Sequence, residues 1–172
     1  NEGYGVQETT LYHRLADNGF AVIAYDQCGF GLRLIEGRDF YRNYPRWSKL
    51  GRMVMDARDA VSFVLDGKGK SSSAIPIFDK ERVFLLGYST GAITAMYAGV
   101  LEGRIAGMAC FSGWTPLRDV SKALVTGGNR RLWDLHGLQP RLGWFDGRES
   151  ELPFDYQDLI SQFLPKPCLI VT

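Results

Sequence analysis

At 172 residues the chain is long enough for one domain with a real core. Hydrophobic residues make up 45% and charged residues 23%, the balance of a globular protein rather than a disordered one. The formal net charge of +1 sets up no field that would draw nucleic acid or an anionic membrane, and no apolar run approaches the roughly 20 residues that span a bilayer.

In chain order, Gln7 to Asn18 reads as a helix with Leu11, Tyr12 and Leu15 on one face, stopped by Gly19. The continuous apolar run Phe20 to Tyr25 predicts a strand buried on both faces, as in parallel sheets. It ends in the turn Asp26-Gln27-Cys28-Gly29-Phe30-Gly31, which the Asp26 side chain is expected to hold through backbone bonds. Arg33 to Trp47 lacks a clear period and reads as a loop with one helical turn. From Leu50 to Leu65, Leu50, Met53, Val54, Ala57, Ala60, Val61 and Val64 keep a 3.6-residue spacing, which predicts an amphipathic helix facing a core. Asp66 to Ser73 is a Gly, Lys and Ser loop.

Three more apolar runs follow: Val83 to Leu86, Ile105 to Phe111 and Pro167 to Thr172. The segment from Ala92 to Leu101 between the first two is helical in pattern, and Gly91, Ala92, Ala95, Ala98 and Gly99 are small enough for close packing on a sheet. Strand runs separated by helices imply an α/β fold, with a mostly parallel sheet flanked by crossover helices. The chain reads as one domain over 1–172, with an insertion or cap-like segment at about 114–164 carrying Trp114, Trp133, Trp144 and Phe145. A connection of that length is usually functional or holds helices of its own. Open α/β sheets bind ligands at the carboxyl ends of their strands, where this insertion would sit.

The pentapeptide Gly87-Tyr88-Ser89-Thr90-Gly91 follows an apolar strand and precedes a helix. It fits G-x-S-x-G, the pattern that lifts a serine hydroxyl out of a strained strand-to-helix corner to attack a carbonyl carbon. Glycines on either side are expected because side chains there would meet strand and helix backbone. The alternative is a Gly-rich turn whose serine caps the helix. The backbone N–H of Thr90 is the oxyanion donor that such a corner supplies. No zinc, phosphate or dinucleotide pattern is present, so neither a metal nor a cofactor is expected; Cys28, Cys110 and Cys168 are isolated.

Together these segments resemble the α/β-hydrolase superfamily. The Asp26 to Gly31 turn is similar to the turn after that family's fourth strand, Val83 to Gly91 to its fifth strand and elbow, Ile105 to Gly113 to its sixth strand, and Pro165 to Val171 to its seventh. Tyr25-Asp26-Gln27, Gly29-Phe30-Gly31 and Leu135 to Gly143 most resemble the dienelactone-hydrolase and acetyl-xylan-esterase-like branch. The resemblance implies a serine esterase acting on a small-molecule or carbohydrate ester, without nucleic acid or a membrane span. It also implies an acid and then a histidine after the seventh strand, where the chain ends at Thr172. The sequence therefore reads as an excerpt of a longer hydrolase domain, shortened at both ends.

Inside the chain, Asp119 stands near the place where some members of the superfamily carry the acid, and a solvated loop aspartate is the other reading. The only histidines are His13 and His136, neither at the expected place of the base. A second oxyanion donor would come from the loop Gly3-Tyr4-Gly5. Tyr88, Trp133, His136, Arg141 and Trp144 are the candidates for substrate contact, being types that stack on sugars or hold carboxylates; local packing is the alternative for each. Two other functions stay open: a hydrolase-like binding module without a complete triad, and a peptidase or acyl transferase on the same fold. Oligomeric state and compartment are not legible, and no basic stretch followed by an apolar one marks a signal peptide.

Overall fold

A computed structural model describes residues 11–66, 77–119 and 127–171. Its centre is a parallel sheet of three strands in the order β1-β2-β3: β1 (Phe84–Tyr88), β2 (Gly107–Phe111) and β3 (Cys168–Val171). The register pairs Tyr88 with Phe111 and Phe111 with Val171, so the carboxyl ends of all three strands finish at one level. The loops after them consequently meet at one rim, the place where open parallel sheets carry their chemistry.

Residues 11–17 are helical (α1), and Gly19 at φ 84° ends that helix as expected. The stretch read as a loop is more helical than its composition suggested: a 3-10 turn at Gly31–Arg33 leads into α2 (Leu34–Arg38) and α3 (Phe40–Asn43). Short helices of this kind owe their order to tertiary contacts, here the burial of Phe40, so they leave little periodicity to read. The predicted amphipathic helix is α4 (Lys49–Asp66), which buries Leu50, Met53, Val54, Ala57 and Val61.

Helix α5 (Thr90–Leu101) crosses from β1 to β2 and is the buried heart of the molecule. Its residues Ala92, Ile93, Thr94, Ala95, Met96, Ala98 and Gly99 are all buried, because α5 touches the sheet, α4 and α7 at once. Small residues let these three neighbours approach together. A Cβ on Gly99 would press on Met108 Sδ at 3.1 Å and the Phe163 ring at 3.2 Å. Thr94 stays satisfied in this apolar setting by donating its hydroxyl to the Thr90 carbonyl at 3.0 Å.

The long connection after β2 does hold helices. Helix α6 (Gly128–Arg130) runs into a π-helical turn at Arg131–Leu135, followed by 3-10 turns at Pro140–Phe145 and Glu149–Glu151 and by α7 (Tyr156–Phe163). Asp155 and Asp158 cap α7 reciprocally, the Tyr156 amide donating to Asp155 Oδ1 at 2.7 Å and the Asp155 amide to Asp158 Oδ2 at 2.8 Å.

One predicted element is corrected. Phe20 to Tyr25 forms no strand, and Phe20, Val22, Ile23 and Tyr25 are exposed rather than buried on two faces. A strand needs a neighbour for its amides and carbonyls. No described strand pairs with this run, and β1 stands at the sheet edge with Phe84 and Leu86 exposed. The apolar sequence is present, but what would make it a strand is not among the described residues.

Candidate active site

Ser89 occupies the corner between β1 and α5 at φ 55°, ψ −117°, a left-handed conformation costly for any residue with a Cβ. Its hydroxyl makes no capping bond to the helix, so the serine does not serve as an ordinary cap. The amide of Ser89 donates to the Phe111 carbonyl at 2.9 Å, and its carbonyl accepts from Ala92 and Ile93 at 3.0 and 3.2 Å. The corner is thereby locked to the sheet on one side and the helix on the other. The amides of Thr90 and Gly91, the first two of α5, donate to no described residue. Such unpaired amides at a helix start favour negative charge.

Two glycines make the corner possible. A Cβ on Gly87 would overlap the Gly91 carbonyl, and one on Gly113 would overlap the Ser89 Cα. Gly113 also has φ +89°, and Ser112 before it has φ 55°. The loop after β2 is thus folded tightly over the serine, with the Ser112 amide anchored on the Val171 carbonyl at 2.6 Å. This second strained turn escaped the sequence reading, although a Ser-Gly pair directly after an apolar run was a signal for it. Gly91 departs from expectation: a Cβ there would meet only the Gln27 Nε2, at 4.0 Å. Steric need explains the first glycine of the pentapeptide and not the last.

Two carboxylates hold the loops beside the corner. Asp155 is buried and accepts the Leu117 and Arg118 amides at 2.7 and 3.1 Å, which fixes the loop after β2 to the start of α7. Asp56 on α4 is also buried and pairs with Arg33 at 2.6 Å and Arg52 at 3.2 Å. Arg33 in turn binds Glu36 at 2.7 Å and donates to the Asp26 carbonyl at 3.1 Å. The Arg33 guanidinium beside Glu36 holds that carboxyl below its ordinary range. Asp26 secures the turn as expected, its Oδ2 accepting the Leu32 amide at 2.9 Å.

The structure separates the substrate-contact candidates. Thr90 and His136 line one cavity of about 290 Å³ beside the corner, together with Cys28, Phe30, Lys49 and Leu138. Burial, and then the charge of Arg131, hold the His136 ring below its ordinary pKa. Trp133 is half-buried and packs on Gly143, at 3.2 Å from the position of a Cβ there, within the connection after β2. Arg141 lies 5.9 Å over the Trp144 ring, and Trp144 is 70% exposed. Neither of these pairs borders the cavity. Tyr88 is exposed at the end of β1. Asp119 is exposed, its amide turned onto the Pro116 carbonyl at 3.0 Å, and no described side chain engages its carboxylate. His13 is exposed on α1. The loop Gly3-Tyr4-Gly5 and most of the Asp66 to Ser73 loop lie outside the described residues.

Among the described residues, no three His, Cys, Asp or Glu side chains come together as a metal site would require, and no helix is long and apolar enough to cross a membrane. Cys28, Cys110 and Cys168 are free thiols.

The family model described as serine aminopeptidase, S33, matches residues 1–151. No curated protein matches the chain. Among solved structures, it is similar to a promiscuous CE15 esterase from the marine bacterial metagenome, with a TM-score of 0.58 at 18% identity, covering 90% of this chain and 36% of that one. It is also similar to the glucuronoyl esterase from Solibacter usitatus, with a TM-score of 0.52 at 20% identity, covering 72% of this chain and 30% of that one. The chain thus spans about a third of the length of these structures, and the likeness is one of fold. Since the family model takes in the sheet edge, the Ser89 corner and most of the connection after β2, the chain belongs to the serine aminopeptidase S33 family of α/β hydrolases.

Proposed function

We propose that the full-length protein is a serine hydrolase that cleaves carboxylic esters through an acyl-enzyme on Ser89. The carrying observation is the corner itself: a serine at φ 55° whose hydroxyl caps nothing, next to two amides without partners among the described residues. In this reading Ser89 Oγ attacks the ester carbonyl carbon as a base takes its proton. The Thr90 amide stabilises the oxygen that becomes negative. The carbon–oxygen bond to the alcohol breaks, the alcohol leaves with the proton, and water then releases the acid from Ser89. The triad acid and base are assigned to no described residue. Asp119 has no partner among the described residues that would orient a base, and His13 and His136 are not in the expected order.

The esterase reading draws support from the two structural relatives, both of which are named as esterases. Small-molecule or carbohydrate esters are the substrate class it suggests. A second reading, peptide hydrolysis at the same serine, is favoured by the family description, serine aminopeptidase. A fluorophosphonate probe on the full-length protein tests both: Ser89 is expected to be labelled, and Ser89→Ala to lose labelling and turnover by at least about 10⁴-fold. An unlabelled Ser89, under conditions that label a reference esterase, removes the proposal. Faster cleavage of aminoacyl anilides than of short acyl esters selects the peptidase.

A further inference from the structure

The cavity beside the corner has a one-sided chemistry. Phe30, Leu34, Met53 and Leu138 supply an apolar lining, and the charged side chains on it are Arg38 and Lys49; no carboxylate borders it. Arg38 is already matched by Asp39 on the surface, at 2.8 Å. Lys49 is not matched. Its ammonium lies 5.3 Å over the Tyr41 ring and makes no ion pair with any described residue. It is also the first residue of α4, the end of a helix where a cation is disfavoured, and the first turn of α4 contains no acid. The first amides of α4 already have acceptors within the protein, so they do not compete with the Lys49 ammonium for an anion. The Lys49 amide donates to the Tyr41 hydroxyl at 3.3 Å, Leu50 to the Leu138 carbonyl at 3.1 Å and Gly51 to Ser48 Oγ at 2.9 Å.

An unmatched ammonium at a cavity with apolar walls is a site for an organic anion. At about 290 Å³ the cavity is at the small end of ligand-holding clefts, and Thr90 ties it to the corner. We propose that Lys49 binds a free carboxylate carried by the substrate, so that the enzyme prefers esters bearing a second, unesterified acid group over neutral esters of the same length. Phe30, Met53 and Leu138 would pack the carbon chain between the two ends, and His136 would offer a ring nitrogen at the rim. This deepens the reading of Ser89 as an ester-cleaving nucleophile and rests on it.

The experiment compares 4-nitrophenyl hydrogen adipate with 4-nitrophenyl hexanoate on the full-length protein, each corrected for spontaneous hydrolysis. The expected kcat/KM ratio favours the adipate half-ester by about tenfold, through KM, as for one charge-assisted contact. Lys49→Gln should bring that ratio towards one, Lys49→Arg should keep most of it, and 0.5 M salt should reduce it in the wild type. Calorimetric titration of Ser89→Ala with adipate gives a readout free of turnover: Lys49→Gln on that background should weaken binding about tenfold. Equal use of the two esters, or a ratio that Lys49→Gln leaves unchanged, overturns the cavity assignment while the nucleophile stands. If neither ester is hydrolysed and Ser89 resists the fluorophosphonate, the nucleophile reading falls, and the adipate titration still decides the cavity.

Discussion

The two loops that flank Ser89 are held by different physics. On one side, the loop after β2 presses Gly113 onto the serine and is anchored by Asp155, a buried carboxylate whose partners at that loop are neutral amides of Leu117 and Arg118. On the other side, the Asp26 to Arg33 turn is anchored by Asp56 chiefly through the guanidinium of Arg33, itself shared with Glu36, with the Cys28 amide a longer contact at 3.4 Å. Backbone amides are fixed in direction and have no alternative partner once buried, so the first anchor is rigid. Guanidinium pairs at a partly open surface can exchange for water, so the second is adjustable. With Ser89 as the proposed nucleophile, the rigid loop would set the position of its hydroxyl, and the adjustable one borders the cavity that would receive the rest of the substrate.

The sharpest way to break this contrast is Asp155→Ala. It strips acceptors from three amides, one of them the fully buried Leu117, and should destabilise the protein by about 4 kcal/mol in chemical denaturation. The proposed hydrolysis at Ser89 should fall in the surviving folded fraction, since the loop over the serine loses its tether. Gly113→Ala comes next. The added methyl meets the Ser89 Cα at a φ of +89°, so about 3 kcal/mol is expected, with kcat reduced more than KM is raised. On the adjustable side, Asp56→Ala leaves Arg33 and Arg52 facing each other without their shared partner. About 2 kcal/mol is expected, less than for a wholly buried pair because both arginines reach solvent. Its activity signature should be the reverse of the Gly113→Ala one, with KM affected more than kcat. If both variants change the same kinetic constant, the proposed division between the loops is wrong.

The smallest effect is remote from the site and gives a baseline. Glu102, at the end of α5, has its pKa pulled down to about 2 by the Arg104 guanidinium at 2.7 Å. Its folded pKa lies below the unfolded value, so its contribution is present above about pH 4 and is lost as pH falls towards 2. Unfolding followed from pH 5 to 2 should show this loss. Glu102→Gln should flatten that part of the profile by about 1 kcal/mol without changing either kinetic constant at neutral pH.

Local physics explains which parts of this molecule were legible. Helix α4 was, because an exposed helix packed on one side writes its period into Leu50, Met53, Val54, Ala57 and Val61. So was the Ser89 corner, since a strand followed at once by a helix requires a small residue such as Gly87. Helices α2 and α3 were not, because their order comes from the burial of Phe40 and the hold of Arg33 on Asp56, contacts made across 23 residues of sequence. How Trp133, His136, Arg141 and Trp144 are distributed was not legible for a related reason. Residue type suggests what a side chain can contact, and only packing decides which way it faces.

By itself, then, the sequence determined the order of strand and helix, the parallel crossover through α5 and the placing of a serine at its turn, since periodicity, small residues and glycine act over a few neighbours. The tertiary structure decided that Gly113 closes over Ser89 and that Lys49 and Thr90 share a cavity. Each of those outcomes joins segments tens of residues apart, and their meeting depends on the whole fold minimising exposed apolar surface and unpaired polar groups at once.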